Sequence, residues 1–131
     1  MDRMKSKIIS IGSYTPNNIV TNQDLEKKVD TTDEWIVSRT GIKERPIADD
    51  TQATSDLAYE AAKIAVERSK IDKNDIDLII VGTCTPDVAT PNVGTLIQKR
   101  LDLKNFSAFS IEAACSGFIY ALNIADKFIK S

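Results

Sequence analysis

The stretch Leu78-Ile79-Ile80-Val81, preceded by Asp77 and closed by Gly82, constrains the fold of this chain more than any other. An unbroken aliphatic, β-rich run without polar alternation is the mark of a parallel strand covered on both faces. A parallel neighbour cannot be reached by a tight turn, so the chain must cross over, usually through a helix. The sequence supplies such crossovers. Helical spacing runs from about Thr54 to Ser69, where Leu57, Ala61, Ile64, Ala65 and Arg68 share one side. Ala58, Ala62 and Val66 widen that apolar stripe, and the many alanines imply close packing on a sheet. A second helix buries Val93, Leu96, Ile97 and Leu101, with Thr90 as its cap and Pro91 at its first position, where proline fits best. Further strands are expected at Lys7–Gly12 and at Phe106–Ile111, the latter alternating apolar with small polar residues. The order strand, helices, strand, helix, strand, helix gives an α/β architecture of helix and sheet layers with right-handed crossovers.

Between the first strand and the long helix the chain is more polar. Pro16-Asn17-Asn18 reads as a turn, and Thr21 or Asn22 can cap a short helix carrying Leu25 and Val29. Asp30-Thr31-Thr32-Asp33-Glu34 is a helix start rich in capping side chains, and that helix stops at Gly41, suited to a left-handed terminal position. Ile42 to Asp50 reads as a polar connector.

Bulk properties exclude several function classes. The net charge is −2 and the isoelectric point is near 5.1, which argues against a nucleic-acid binder or a polybasic membrane anchor. No apolar stretch is long enough to span a bilayer, and the start, Met1 to Lys7, has no apolar core behind it to make a signal peptide. Cys84 and Cys115, the two cysteines, form no disulfide framework, so a cytoplasmic location is expected. At 131 residues the chain is one ordinary domain or a piece of a larger one. It has no histidine.

Two constellations carry chemistry. After the strand ending at Ile111 come Glu112-Ala113-Ala114-Cys115-Ser116-Gly117, small residues that permit a sharp turn, and then a helix with Phe118, Leu122, Ala125 and Ile129 at helical spacing and Ile119 beside them. A cysteine at such a turn lies near the first free N–H groups of a helix, whose positive end favours the nucleophilic thiolate. This is the geometry of a nucleophile elbow. Cysteine is also a common small core residue, and a packing role fits the same local pattern; Cys84, just after a strand, is read in that second way. The other pair is Trp35 and Arg39, four apart and therefore on one helix face. An exposed indole beside a guanidinium offers a flat, cationic platform for a purine and its phosphates. A core tryptophan covered by the arginine stem fits the spacing equally well.

The segment Glu112-Ala113-Ala114-Cys115-Ser116-Gly117-Phe118-Ile119-Tyr120-Ala121-Leu122 resembles the active-site segment of β-ketoacyl-acyl-carrier-protein synthase III. Asp30-Thr31-Thr32-Asp33-Glu34-Trp35-Ile36-Val37-Ser38-Arg39-Thr40-Gly41-Ile42-Lys43-Glu44-Arg45 resembles that family's N-terminal signature, and Ile8 to Tyr14 and Asp77 to Thr83 fit its strands. The resemblance implies a thiolase-like fold, of which residues 1–131 form most of the first half while the second half is absent. It implies condensation of a short acyl-CoA with malonyl-acyl carrier protein, initiating fatty-acid synthesis through an acyl-cysteine on Cys115. Thr31, Trp35 and Arg39 match residues that hold coenzyme A, Trp35 by stacking on the adenine. Thr90 matches an acyl-pocket position that is often a bulky aromatic in the family, and a threonine there would admit a longer or branched primer. Ser116 stands where many relatives have alanine. No metal or redox cofactor is implied, acyl-CoA being a substrate. The partners implied are acyl-CoA, malonyl-acyl carrier protein and a second copy in a homodimer, paired through Phe106–Ile111. The family's catalytic His and Asn and a Gly of its oxyanion hole have no counterpart that can be placed on this sequence. A catalytically incomplete folding or dimerisation half, or a related thiolase-fold acyl transferase with another acceptor, therefore stand as alternative readings.

Overall fold

The computed structural model describes residues 4–104 and 107–131. Met1, Asp2 and Arg3, and Phe106 at the expected start of the last strand, lie outside the described residues. The chain divides into two units, one built from the residues up to Tyr14 with Ala53–Ser131, the other from Thr15–Gln52.

The larger unit holds the parallel pair that the sequence calls for. Strand β3 (Leu78–Gly82) runs beside β4 (Ser107–Ile111), Leu78 opposite Ser107 and Gly82 opposite Ile111. The crossover between them is helix α4 (Val93–Arg100), packed on the pair and burying Val93, Gly94 and Ile97. Its cap is Asn92, whose side chain accepts from Thr95 N at 3.1 Å. Thr90 is therefore not the cap. The Thr90–Pro91 bond is cis, and the helix begins two residues beyond the proline, where the Asn92 amide oxygen can reach the free N–H of the first turn. Asn92 also donates to Ala108 O of β4, tying the helix start to the sheet.

Helix α3 (Thr54–Ser69) lies against α4. The Asp56 carboxylate accepts from Ala53 N at 2.8 Å, closing the first turn, and also binds Arg100 of α4. The Arg100 guanidinium stacks 4.2 Å from the centre of the Tyr59 ring. The Ala53 N–H, then Arg100, hold the Asp56 carboxyl below the usual carboxylate range. Helix α5 (Gly117–Lys130) packs on β3.

Two expectations fail in this unit. Lys7–Gly12 forms no strand: it runs along α3, with Ser10 Oγ donating to Ala65 O at 2.7 Å and Arg68 donating to Ile11 O at 2.9 Å. Among the described strands none lies beside it, and Ile8, Ile9 and Ile11 stay exposed. The apolar run of β3 is half-buried rather than covered on both faces. Leu78 and Ile80 open onto a groove shared with Ile9, Phe118, Leu122 and Ile129. The apolar face of α5 lines that groove instead of being buried, and Phe118 is 71% exposed.

The smaller unit contains a two-stranded antiparallel sheet that the sequence did not suggest. Strand β1 (Ile19–Thr21) pairs with β2 (Glu44–Pro46), inside what reads as a polar connector. Charged residues and a proline obscure a strand that lies at a sheet edge, where both are tolerated. Helix α1 (Asn22–Glu26) is capped by Thr21, which accepts from Asp24 N while the Asp24 carboxylate accepts from Thr21 N. Helix α2 (Asp33–Thr40) is capped by Thr32 and ends at Gly41, which is left-handed at φ 72°, as expected from the sequence.

Candidate active site

The elbow at Cys115 is built from three backbone devices. Strand β4 ends at Ile111, whose carbonyl accepts from Thr83 N at 3.1 Å, so the exits of both parallel strands are joined. Ala114 then takes a left-handed conformation, φ 42°, and opens a single 3-10 turn, Ala114–Ser116. In that turn Ser116 N donates to Ala113 O at 2.9 Å. A non-glycine residue in this region costs about 1–2 kcal/mol, so the turn is strained at the residue before the cysteine. Helix α5 starts directly afterwards at Gly117, which is buried. Here the backbones of β3 and α5 meet: a Cβ placed on Gly82 would lie 2.9 Å from the Gly117 carbonyl carbon. That approach fixes the head of α5 against the end of β3 and leaves Cys115 exposed on the turn.

The packing alternative for Cys115 is thereby removed, since an exposed thiol at a strand-to-helix turn packs nothing. Cys84 is exposed as well, so its reading as a small buried thiol is corrected. The tight strand exit leaves its side chain on the surface of the loop between β3 and α4. That loop is held to the start of α3, where Ser55 N donates to Asp87 at 2.8 Å and Thr54 Oγ1 donates to Thr85 O at 2.5 Å. Thr90 lies exposed at the far end of the same loop. Among the described residues no three His, Cys, Asp or Glu side chains are grouped to hold a metal ion. No described helix is long and apolar enough to cross a membrane.

In the smaller unit Trp35 is 54% exposed, and the Arg39 guanidinium lies 4.8 Å from its ring centre. The core-tryptophan alternative fails on that exposure; Ile36 is the residue α2 buries. Thr31 is half-buried immediately before the capping residue Thr32. The structure thus brings Trp35 and Arg39 together on one face, with Thr31 at the entrance to the same helix. The residue that sequence reading missed is Asn22. It is fully buried and hydrogen-bonded to Asp33, Ile42 and Arg45, although in the sequence it figures only as an alternative cap.

Comparison with known proteins completes the picture. The chain is 57% identical over 127 residues to β-ketoacyl-[acyl-carrier-protein] synthase III of Ehrlichia canis, covering 97% of this chain and 40% of that protein. The synthase III of Xanthomonas oryzae is 53% identical over 129 residues, 98% of this chain and 40% of the relative. The chain resembles the N-terminal part of β-ketoacyl-[acyl-carrier-protein] synthase III. Solved structures agree. The 3-oxoacyl-[acyl-carrier-protein] synthase III of Aquifex aeolicus superposes with a TM-score of 0.91 at 52% identity, over 95% of this chain and 40% of that one. The priming β-ketosynthase of the R1128 polyketide pathway gives 0.93 at 36% identity, over 98% and 39%. No protein-family model matches. The fold is accordingly the N-terminal part of a thiolase-like fold, and the chain spans about 40% of the length of the synthase III relatives it matches.

Proposed function

We propose that this chain carries the acyl-accepting part of a β-ketoacyl-acyl-carrier-protein synthase III, with Cys115 as the nucleophile. The observation that carries the reading is the exposed Cys115 at the head of α5, in a chain 57% identical to a synthase III across 127 residues. The Cys115 sulfur attacks the thioester carbonyl of a short acyl-CoA. The carbon–sulfur bond to coenzyme A breaks, and coenzyme A leaves and takes up a proton. Malonyl-acyl carrier protein then loses CO₂, and its carbanion attacks the acyl-cysteine to give a β-ketoacyl product and free Cys115. Covalent catalysis splits one difficult condensation into two easier steps. The Cys115 N–H contributes to the oxyanion site, where a donor aimed at developing charge acts most strongly.

In this reading Trp35 stacks on the adenine of coenzyme A, while Arg39 and Thr31 contact its nucleotide. The exposed, paired indole and guanidinium support it. Thr90, small and exposed beside the start of α4, belongs to the acyl pocket and leaves room for a longer or branched primer. No cofactor beyond the acyl-CoA substrate takes part. The partners are malonyl-acyl carrier protein and a second copy of the chain, and the setting is the cytoplasm. Condensation asks for more than Cys115. Decarboxylation needs donors at the developing enolate, and losing one costs about 2.7–4 kcal/mol. The chain holds no histidine, so its 131 residues accept an acyl group without completing the condensation by themselves.

The test is acylation. Incubated with radiolabelled acetyl-CoA and digested, the chain should carry label on the Cys115 peptide, and Cys115→Ala should carry none. Label on Cys84, or equal label in the Cys115→Ala protein, would remove the nucleophile assignment.

A further inference from the structure

Helix α2 presents Trp35 and Arg39, yet little apolar packing holds it. It has eight residues, too few to be stable alone, and its one buried residue is Ile36. Its direction must be set by something else, and the polar cluster around Asn22 meets the requirement. Asn22 is 0% exposed. Its amide nitrogen donates to Asp33 Oδ1 at 2.7 Å and to Ile42 O at 2.8 Å, and its amide oxygen accepts from Arg45 Nη2 at 2.6 Å. Asp33 is the first residue of α2, and Ile42 follows the glycine that ends it. One buried amide therefore grips both ends of the same helix. Arg45 holds the amide from behind while also donating to Val20 O at 3.1 Å, which anchors the cluster on the β1–β2 sheet. Asn22 N donates to Lys43 O at 3.2 Å, and Asp33 N donates to Glu26 at 2.6 Å, so α1 and α2 are tied at the same point.

We propose that Asn22 is the positioning residue of the Trp35–Arg39 face: it touches no ligand, and it fixes the helix that does. A buried amide whose two donors and acceptor are all engaged tolerates one arrangement, because any rotation leaves a desolvated polar group unpaired. Its functional consequence rests on the coenzyme A reading above. A platform held in place before binding loses less freedom when the nucleotide arrives.

The experiment uses the whole chain and its one tryptophan, Trp35. Time-resolved fluorescence anisotropy measures local motion of the indole, and a coenzyme A titration measures binding. Asn22→Ala should enlarge the fast depolarisation of Trp35 about twofold and raise the coenzyme A dissociation constant about tenfold, as expected when one buried hydrogen-bonding group is lost. Asp49→Ala, which removes a turn bonded to Thr51 elsewhere in the unit, should change neither. Unchanged depolarisation in Asn22→Ala overturns the positioning role. If that variant does not fold, Asp33→Ala decides by the same readout, since it releases the first residue of α2 from the cluster and leaves the bonds to Ile42 and Arg45 in place. Failure of the coenzyme A reading looks different: coenzyme A would leave wild-type Trp35 fluorescence unmoved while Asn22→Ala still loosened the indole.

Discussion

Replacing Gly12 by alanine should destabilise the larger unit by an amount that follows from where the chain lies. A Cβ on Gly12 would sit 2.1 Å from Ala61 O and 2.5 Å from Ala65 N, both backbone atoms of α3. Ordinary contact is more than an ångström farther out, and a helix backbone cannot yield that much, so residues 8–12 must lift away. Lifting breaks the Ser10–Ala65 and Arg68–Ile11 hydrogen bonds, now 2.7 and 2.9 Å long. Two partly exposed hydrogen bonds and the residual overpacking together come to about 2–4 kcal/mol. Urea unfolding followed by far-ultraviolet circular dichroism should show the midpoint falling at an unchanged slope. Gly41→Ala is the useful contrast. Its Cβ would meet nothing within 4 Å, and its cost comes from φ 72° alone, about 1 kcal/mol. If Gly12→Ala leaves the midpoint where it was, the close approach to α3 is not a constraint on this chain.

Thr32→Ala removes the cap on Trp35 N and should cost about 1 kcal/mol, read as a lower melting temperature; an equal melt would show the cap to be idle. The Thr21 hydroxyl, then Lys27 and the Thr21 N–H, hold the Asp24 carboxyl far below its ordinary range. A depressed carboxyl contributes fully above its unfolded pKa, about 3.9, and the contribution disappears as pH falls through the folded value. Asp24→Asn should therefore lose stability at neutral pH and flatten the acid limb of the stability curve, measured by urea midpoints across pH. Trp35→Ala should weaken acyl-CoA binding by about 0.5–1.5 kcal/mol beyond lost area, and unchanged affinity would separate Trp35 from the nucleotide. The exposed Phe118, Ile119 and Tyr120 at the head of α5 should make the 131-residue chain self-associate; sedimentation showing a concentration-independent monomer would contradict this.

What the sequence disclosed divides along physical lines. Elements that announce themselves locally were found where expected: a helix start at Thr21 or Asn22, of which Thr21 is the cap, a second start within Asp30 to Glu34, where Thr32 is the cap, the stop at Gly41, the α3 span and the β3 run are each decided within a few residues. The elbow was legible for the same reason, since a run of small residues between a strand and an amphipathic helix marks a place where the chain can turn sharply. Elements decided by distant partners were not. Lys7–Gly12 has strand composition, but its bonds go to α3, and no local pattern encodes that choice. Strand β2 was hidden because Glu44-Arg45-Pro46 is chosen for an edge and for the Asn22 cluster rather than for β propensity. The Pro91 signal misplaced the α4 start by two residues, since Asn92 competes for the same cap. Asn22 itself could have been suspected only by asking why an amide, rather than an apolar side chain, follows a cap that Thr21 already supplies.

The left-handed Ala114 also limits which genetic changes the elbow can accept. At a positive φ, glycine, asparagine and aspartate are tolerated best, whereas valine, isoleucine and threonine meet the backbone directly. A single nucleotide change converts an alanine codon to one for valine or threonine as readily as to one for glycine. Random mutation therefore offers position 114 mostly substitutions that would twist the turn and swing Cys115 away. In a saturation library selected for acyl transfer, position 114 should retain a short set of small residues, much narrower than its exposed side chain would suggest.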